Sequence, residues 1–157
     1  MKILALEFSS RQRSVAVTDD ADVLSEITTD QLKTGPLILI EQALEQAQID
    51  REEIQCLALG IGPGSYTGIR SAIAVAQGWQ LARDTPLCAV SSAEILAATA
   101  RRNGLRGETH FIIDAQRHEY YHCAWQLDDQ AQLETTPLSI IGVTSAAELK
   151  AYGPDAA

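Results

Sequence analysis

The 157-residue chain contains no apolar run approaching the roughly 20 residues that a bilayer-spanning helix needs. Its opening stretch, MKILALEFSSRQRSVAV, has neither the sustained apolar core nor the small-residue cleavage site of a secretory signal. Cations are scarce: 12 Lys and Arg stand against 21 Asp and Glu, a formal charge of −9. Such a surface repels phosphate backbones, so strong direct nucleic-acid binding is not expected. A nucleic-acid role would have to pass through a partner or a local patch, and solubility alone also accounts for the acidity. Cysteine is too sparse for a disulfide framework. Cys56, Cys88 and Cys123 are odd in number and widely spaced among apolar neighbours, which predicts buried, reduced thiols and no zinc ribbon. These absences predict a soluble, cytoplasmic protein that does not associate with membranes.

What is present is enough apolar material for a core: 46% of residues are hydrophobic, in a length that suits one domain or two small lobes. Residues 2–8, 13–18 and 23–29 read as short strands, the last two joined by an Asp-rich turn suited to antiparallel neighbours. Gly35-Pro36 opens a helix, because proline at the first helical position loses no hydrogen bond. Leu37, Ile40, Leu44 and Ala47 form its stripe, and Ile38 and Leu39 lie outside it. That surplus meets either a partner or a second lobe. CLALGI (56–61) suits a buried parallel strand, followed by a helix from about Gly68 to Ala82. Ile69, Ala72, Ile73, Ala76 and Trp79 share a face of that helix; Ser71, Ala74 and Gly78 permit close approach by another element.

Residues 86–90 form a further strand, and 91–101 a helix with Ser91 and Glu94 as a capping box. The order predicts a ribonuclease H-like α/β fold with a mixed sheet and helices on both faces. NGLRG (103–107) reads as a hinge. Beyond it come strands at 109–114, 119–127 and 133–141 and a helix at 145–153, a second, incomplete copy of the motif. The predicted division is a ribonuclease H-like lobe over 1–102 and a shortened lobe, strand meander plus helix, over 103–157.

HEYYH (118–122) matches the H-E-x-x-H signature of zinc metalloproteases, which requires a helix. Tyr120, Tyr121, Cys123, Trp125 and Leu127 favour a strand instead, with a turn over 115–118. Residues four apart on a strand stand about 13 Å from each other, and zinc–nitrogen bonds of about 2 Å cannot bridge that. His110 supplies no obvious third ligand. Zinc proteolysis is rejected on this reading, and no metal is expected. Asp114 reads as a strand-end turn residue.

GIGPGSYTGIR (60–70) joins a buried strand to a helix through glycines and hydroxyl residues. Such a corner can cradle phosphate at a helix N-terminus or turn the chain tightly against a neighbour. No Gly-Lys-Ser/Thr follows, which removes the P-loop reading, and the spacing does not fit a Rossmann fingerprint. Ser65 and Thr67 have no nearby histidine to activate them, so helix capping is the expected role. Arg70 is a cation in the first turn, near the helix's positive end, which calls for an acidic partner within the loop or across an interface.

LALEFSS, GIGPGSYTGIRSAIAVAQGWQLA, VSSAEILA and IIDAQRHEYYHCAW, in this order and spacing, together resemble the TsaB (YeaZ) family from residue 2 to about 127. The resemblance implies the actin-like ATPase fold of the sugar-kinase superfamily and a role in making threonylcarbamoyladenosine in tRNA. It further implies a non-catalytic scaffold, without a cofactor, that pairs with the transferase TsaD and the ATPase TsaE and forms a homodimer when alone. The glycoprotease name attached to such relatives finds no support in these residues.

The chain departs from the family in Glu7-Phe8-Ser9, where Asp-Thr-Ser is usual, in Thr34-Gly35 for His-Ser, in His118-Glu119 for Gly-Glu, and in its shorter length. The expected interface comprises Leu37, Ile38, Leu39, Glu41, Arg70, Ser71, Ala74 and Gly78. A nucleotide- or phosphate-like loop would comprise Glu7, Ser9, Ser10, Gly62, Gly64, Ser65, Thr67 and Gly68. The competing readings are an ATP-binding or phosphotransfer domain of the same superfamily and a degenerate paralogue.

Overall fold

Alternating apolar residues set the first sheet. Leu4, Leu6, Val15, Val17, Leu57 and Leu59 all turn to one face and are buried there. In the computed structural model, which describes residues 1–31, 33–147 and 149, these residues lie on β1 (Lys2–Glu7), β2 (Arg13–Asp19) and β4 (Cys56–Gly60). With β3 (Asp22–Thr29) and β5 (Leu87–Val90) the sheet has the order β3-β2-β1-β4-β5. β1, β2 and β3 pair antiparallel; β4 joins β1, and β5 joins β4, in parallel.

Parallel neighbours need crossovers. These are α1 (Pro36–Ala47), between β3 and β4, and α2 (Tyr66–Arg83), between β4 and β5. Leu39, Ile40 and Ala43 of α1 and Ala72 and Ala76 of α2 enter the same core as the strands. At about 25 cal/mol per Å² of apolar surface removed from water, this shared layer is the main stabilisation of the unit.

The buried stripe of α1 therefore differs from the expected one. Leu39 is 1% exposed and Leu37 is 65% exposed. Helical rotation places Leu39 beside Ile40 and Ala43, and Leu37 on the flank towards Glu41. α2 begins at Tyr66, two positions before the expected start, because Ser65 caps it by accepting from the Gly68 amide at 3.3 Å. Ser91 caps α3 (Ser92–Arg102) through the Ala93 amide; the reciprocal capping box occurs instead at Asp50 and Glu53, ahead of a short 3-10 turn. Cys123 is buried and Cys56 half-buried, but Cys88 is exposed, because β5 is an edge strand.

The chain divides into two units, Met1–Val90 and Ser91–Ala157. α3 thus falls with the second unit rather than before a hinge at 103–107. Its Ala93, Ala97 and Ala100 bury against Phe111, Cys123 and Leu127. Those residues lie on β6 (Gly107–Gln116) and β7 (Glu119–Leu127), which with β8 (Gln132–Gly142) form an antiparallel sheet of order β6-β7-β8. α4 (Val143–Ala147) follows; the rest of the helix expected over 145–153 lies outside the described residues, apart from Leu149. Among the described residues no helix is long and apolar enough to cross a membrane.

Candidate functional site

The glycine corner between β4 and α2 closes directly onto the end of β1. Gly62 and Gly64 have φ of 90° and 149°, a region open to glycine at little cost. A Cβ on Gly64 would collide with the Ser9 carbonyl, and one on Gly68 with the Phe8 carbonyl. The Ser65 amide donates to Ser9 O at 2.5 Å. Glu7 is held in the same corner: its Oε1 accepts from the Ser9 amide at 2.6 Å, and its carboxylate lies against Gly60, where an added Cβ would have to displace it. Glu7, Ser9, Gly64, Ser65 and Gly68 are thus brought together. Ser10 turns away and donates to Gln12 O at 2.7 Å. Thr67 is exposed and Gly62 buried.

Carbonyl oxygens of Phe8 and Ser9 therefore face the helix N-terminus where an anion would approach, and the Ser65 and Gly68 amides are already taken. This is chemistry that opposes a phosphate. Phe8, one of the departures from the family pattern, is a core residue. Its ring is fully buried on the helix side of the sheet, with the Arg13 guanidinium 5.7 Å from its centroid. Its bulk supports the core and does not project with Glu7.

The outward surface of the two helices is the other candidate. α1 and α2 pack beside each other on one face of the first sheet. Leu37, Ile38 and Glu41 are exposed on α1; Arg70, Ala74 and Gly78 are exposed on α2, and Ser71 is half-buried. Leu39 drops out of the expected set because it is core. Tyr66 and Leu81, 72% and 91% exposed, lie on the outward face of α2 as well. Their signal was legible: Tyr66, Arg70, Ala74, Gln77 and Leu81 recur at helical spacing opposite Gly68, Ala72 and Ala76. Arg70 has its partner within the helix, and it is not acidic. The guanidinium lies 5.2 Å from the Tyr66 ring centroid and donates to Tyr66 Oη at 3.4 Å.

HEYYH lies on a turn and a strand, not on a helix. His118 occupies the β6–β7 turn and His122 lies on strand β7, where its partner is His110, 2.9 Å away. Among the described residues no group of three His, Cys, Asp or Glu side chains could hold a metal ion. Asp114 has the expected turn role, accepting from the Gln116 amide at 2.7 Å. A surface hollow of about 390 Å³ lies at the far end of α2 from the corner, between Arg51, Glu52, Trp79, Ala82 and Arg83.

An antiparallel meander continued by two parallel strands, with helical crossovers and a glycine corner against the first strand, defines a ribonuclease H-like unit of the actin-like ATPase class. Within that class, the family model for TsaD, tRNA N6-adenosine threonylcarbamoyltransferase, matches residues 23–150. The tRNA threonylcarbamoyladenosine biosynthesis protein TsaB of Escherichia coli is 31% identical over 131 residues, 82% of this chain and 57% of the relative. TsaB of Bacillus subtilis is 30% identical over 130 residues, 80% of this chain and 56% of the relative. The solved structure of YeaZ from Pseudomonas aeruginosa superposes with a TM-score of 0.81 at 29% identity, covering 90% of this chain and 66% of that one. The chain belongs to the TsaB (YeaZ) family. It spans a little over half the length of the curated relatives it matches.

Proposed function

We propose that the protein is a non-catalytic scaffold in the biosynthesis of threonylcarbamoyladenosine in tRNA, working in the cytoplasm. It pairs with a TsaD-type transferase through the outward faces of α1 and α2, with a TsaE-type ATPase as a further partner, and self-associates through the same surface when alone. The observation that carries this reading is that surface. Leu37, Ile38, Tyr66 and Leu81 leave large apolar side chains in solvent, 65%, 51%, 72% and 91% exposed, on the helices of the better-packed unit. The filled glycine corner supports the non-catalytic part, since its carbonyl-lined mouth suits close packing better than phosphate. Binding would activate the transferase by favouring its competent conformation, which requires a higher affinity for that state.

Co-elution with a purified TsaD-type transferase tests the pairing. The wild-type chain should form a complex, and Ile38→Glu should weaken it by about 2 kcal/mol, near 30-fold, with circular dichroism unchanged. A folded wild-type chain that forms no complex, or a variant that pairs equally well, removes the proposal. Calorimetric titration with Mg-ATP tests the enzyme alternative: tight binding abolished by Ser65→Ala would favour a nucleotide-handling domain.

A further inference from the structure

β6 and β7 are joined by the two-residue turn Arg117-His118. Gln116 pairs with Glu119; an unbroken ladder would continue with Ala115 opposite Tyr120 and Ile113 opposite His122. In that register His110 and His122 would lie on opposite faces, because side chains alternate. A bulge at Ala115 shifts the ladder by one, pairing Asp114 with Tyr120, Ile112 with His122 and His110 with Ala124. Both histidines now share the face turned away from α3. His110 Nδ1 and His122 Nε2 are 2.9 Å apart. The ring centroids are 5.2 Å apart and the planes differ by 10°. The hydrogen bond with the two ring radii fills that separation, so the rings meet edge to edge, nearly coplanar.

We infer that His110 and His122 are a proton-sharing imidazole pair built into the β6–β7 contact: His110 Nδ1–H donates to His122 Nε2, one added proton is held without losing the bond, and a second opens it. With both rings neutral, one nitrogen donates and the other accepts. A proton added at His110 Nε2 leaves the bridging N–H in place and makes the bond charge-assisted. A second proton, at His122 Nε2, would point two N–H groups of like-charged rings at each other.

Burial, and then the neighbouring His110, hold the His122 imidazolium below its ordinary pKa range, which fits His122 as the acceptor of the inferred bond. Other groups on this face do not replace the bond. On β6, Asp114 is bonded to the Gln116 amide, and Glu108 accepts from Thr135 Oγ1 at 3.4 Å. Tyr120 is the titratable neighbour on β7. β8 presents the uncharged Ser139 opposite His122 and Thr136 opposite Ala124. α4 carries no titratable side chain over Val143–Ala147, and α3, with Glu94, Arg101 and Arg102, packs on the reverse face.

Nitrogen-15 NMR of the full chain tests this without any substitution. A scalar coupling across the N–H···N bond should join His110 Nδ1 to His122 Nε2 at neutral pH. It should survive the first protonation and vanish with the second, as β6 and β7 amides shift together. His110→Gln, in a chain that keeps its amide spectrum, should move the His122 titration upward. Absence of the coupling in the folded wild-type chain, or a His122 titration unchanged by His110→Gln, would overturn the inference.

Discussion

Each unit contains an antiparallel three-strand meander, and the two are stabilised differently. In Met1–Val90, large side chains from β1, β2 and β4 meet two long helices, and Phe8, Leu4, Leu6, Leu57 and Val17 are fully buried or nearly so. In Ser91–Ala157, the core is the alanine stripe of α3 on Phe111, Cys123 and Leu127. Leu133 and Ile140 of β8 remain 68% and 57% exposed. Alanine removes little apolar surface from water, so the second unit depends more on sheet pairing, turn geometry and polar contacts. Its polar histidine pair occupies one sheet face, whereas the helix-facing side of the first sheet is lined with leucine and valine. The two tryptophans fall one in each unit, Trp79 against the first core and Trp125 against the second, so fluorescence of the single-tryptophan variants Trp125→Phe and Trp79→Phe can follow them separately.

The largest expected effect is at the glycine corner. Gly68→Ala forces the backbone of β1's end to move and should cost about 2–3 kcal/mol, lowering the urea midpoint seen by Trp79. Gly60→Ala should cost about 1 kcal/mol, because the obstacle there is the end of the Glu7 side chain, which can swing aside. Equal losses would mean the corner is not held by backbone contact.

Acidification should separate the units next. His122 takes up its proton at lower pH when folded than the ordinary 6.5, so the unfolded chain binds more protons in that interval. Stability at Trp125 should therefore fall as pH drops below about 6.5, by about 1.4 kcal/mol for each unit of pKa displacement. In the first unit, the Lys2 bond, then the Asp50 amide, holds the Glu53 carboxyl below its usual 4.5. Its contribution is present above that value and lost as pH falls further, so Trp79 should respond only in stronger acid. Coincident profiles for the two tryptophans would break the comparison.

A smaller effect, of opposite sign, is expected at the hairpin. Arg117 and His118 have φ of 55° and 65°, the geometry that two-residue turns reserve for Asn-Gly. His118→Gly should stabilise the second unit by about 0.5–1 kcal/mol, raising the midpoint seen by Trp125. Smallest is Gly78→Ala. A Cβ there meets nothing within 4 Å, so the change should add about 0.5 kcal/mol to the first unit alone. If partner helices approach at this small residue, the same change should weaken pairing measured by co-elution.

Much of this architecture follows from local signals. Strand alternation, Pro36 at a helix start, Ser65 as a cap and the tyrosine-rich strand through 119–127 need only their neighbours in sequence. The rejection of zinc chemistry at HEYYH follows from that strand. The phase of α1 needed the position of the sheet, because Leu37 and Leu39 are equally apolar. Arg70 looked unpaired only because its aromatic partner, Tyr66, carries no charge. The assignment of α3 depended on which core its alanines entered, and alanine matches either one.

By itself, the sequence determined the order and type of the main elements and the tight glycine corner, because periodicity and backbone preference act over a few residues; the family came from the resemblance of its motif blocks. Only the tertiary structure decided what fills that corner, which helix residues are left exposed, and whether His110 meets His122. Each of these turns on a displacement of one position: a carbonyl where a Cβ would stand, a helix turned by one residue, or a bulge that moves a side chain to the other face of its sheet.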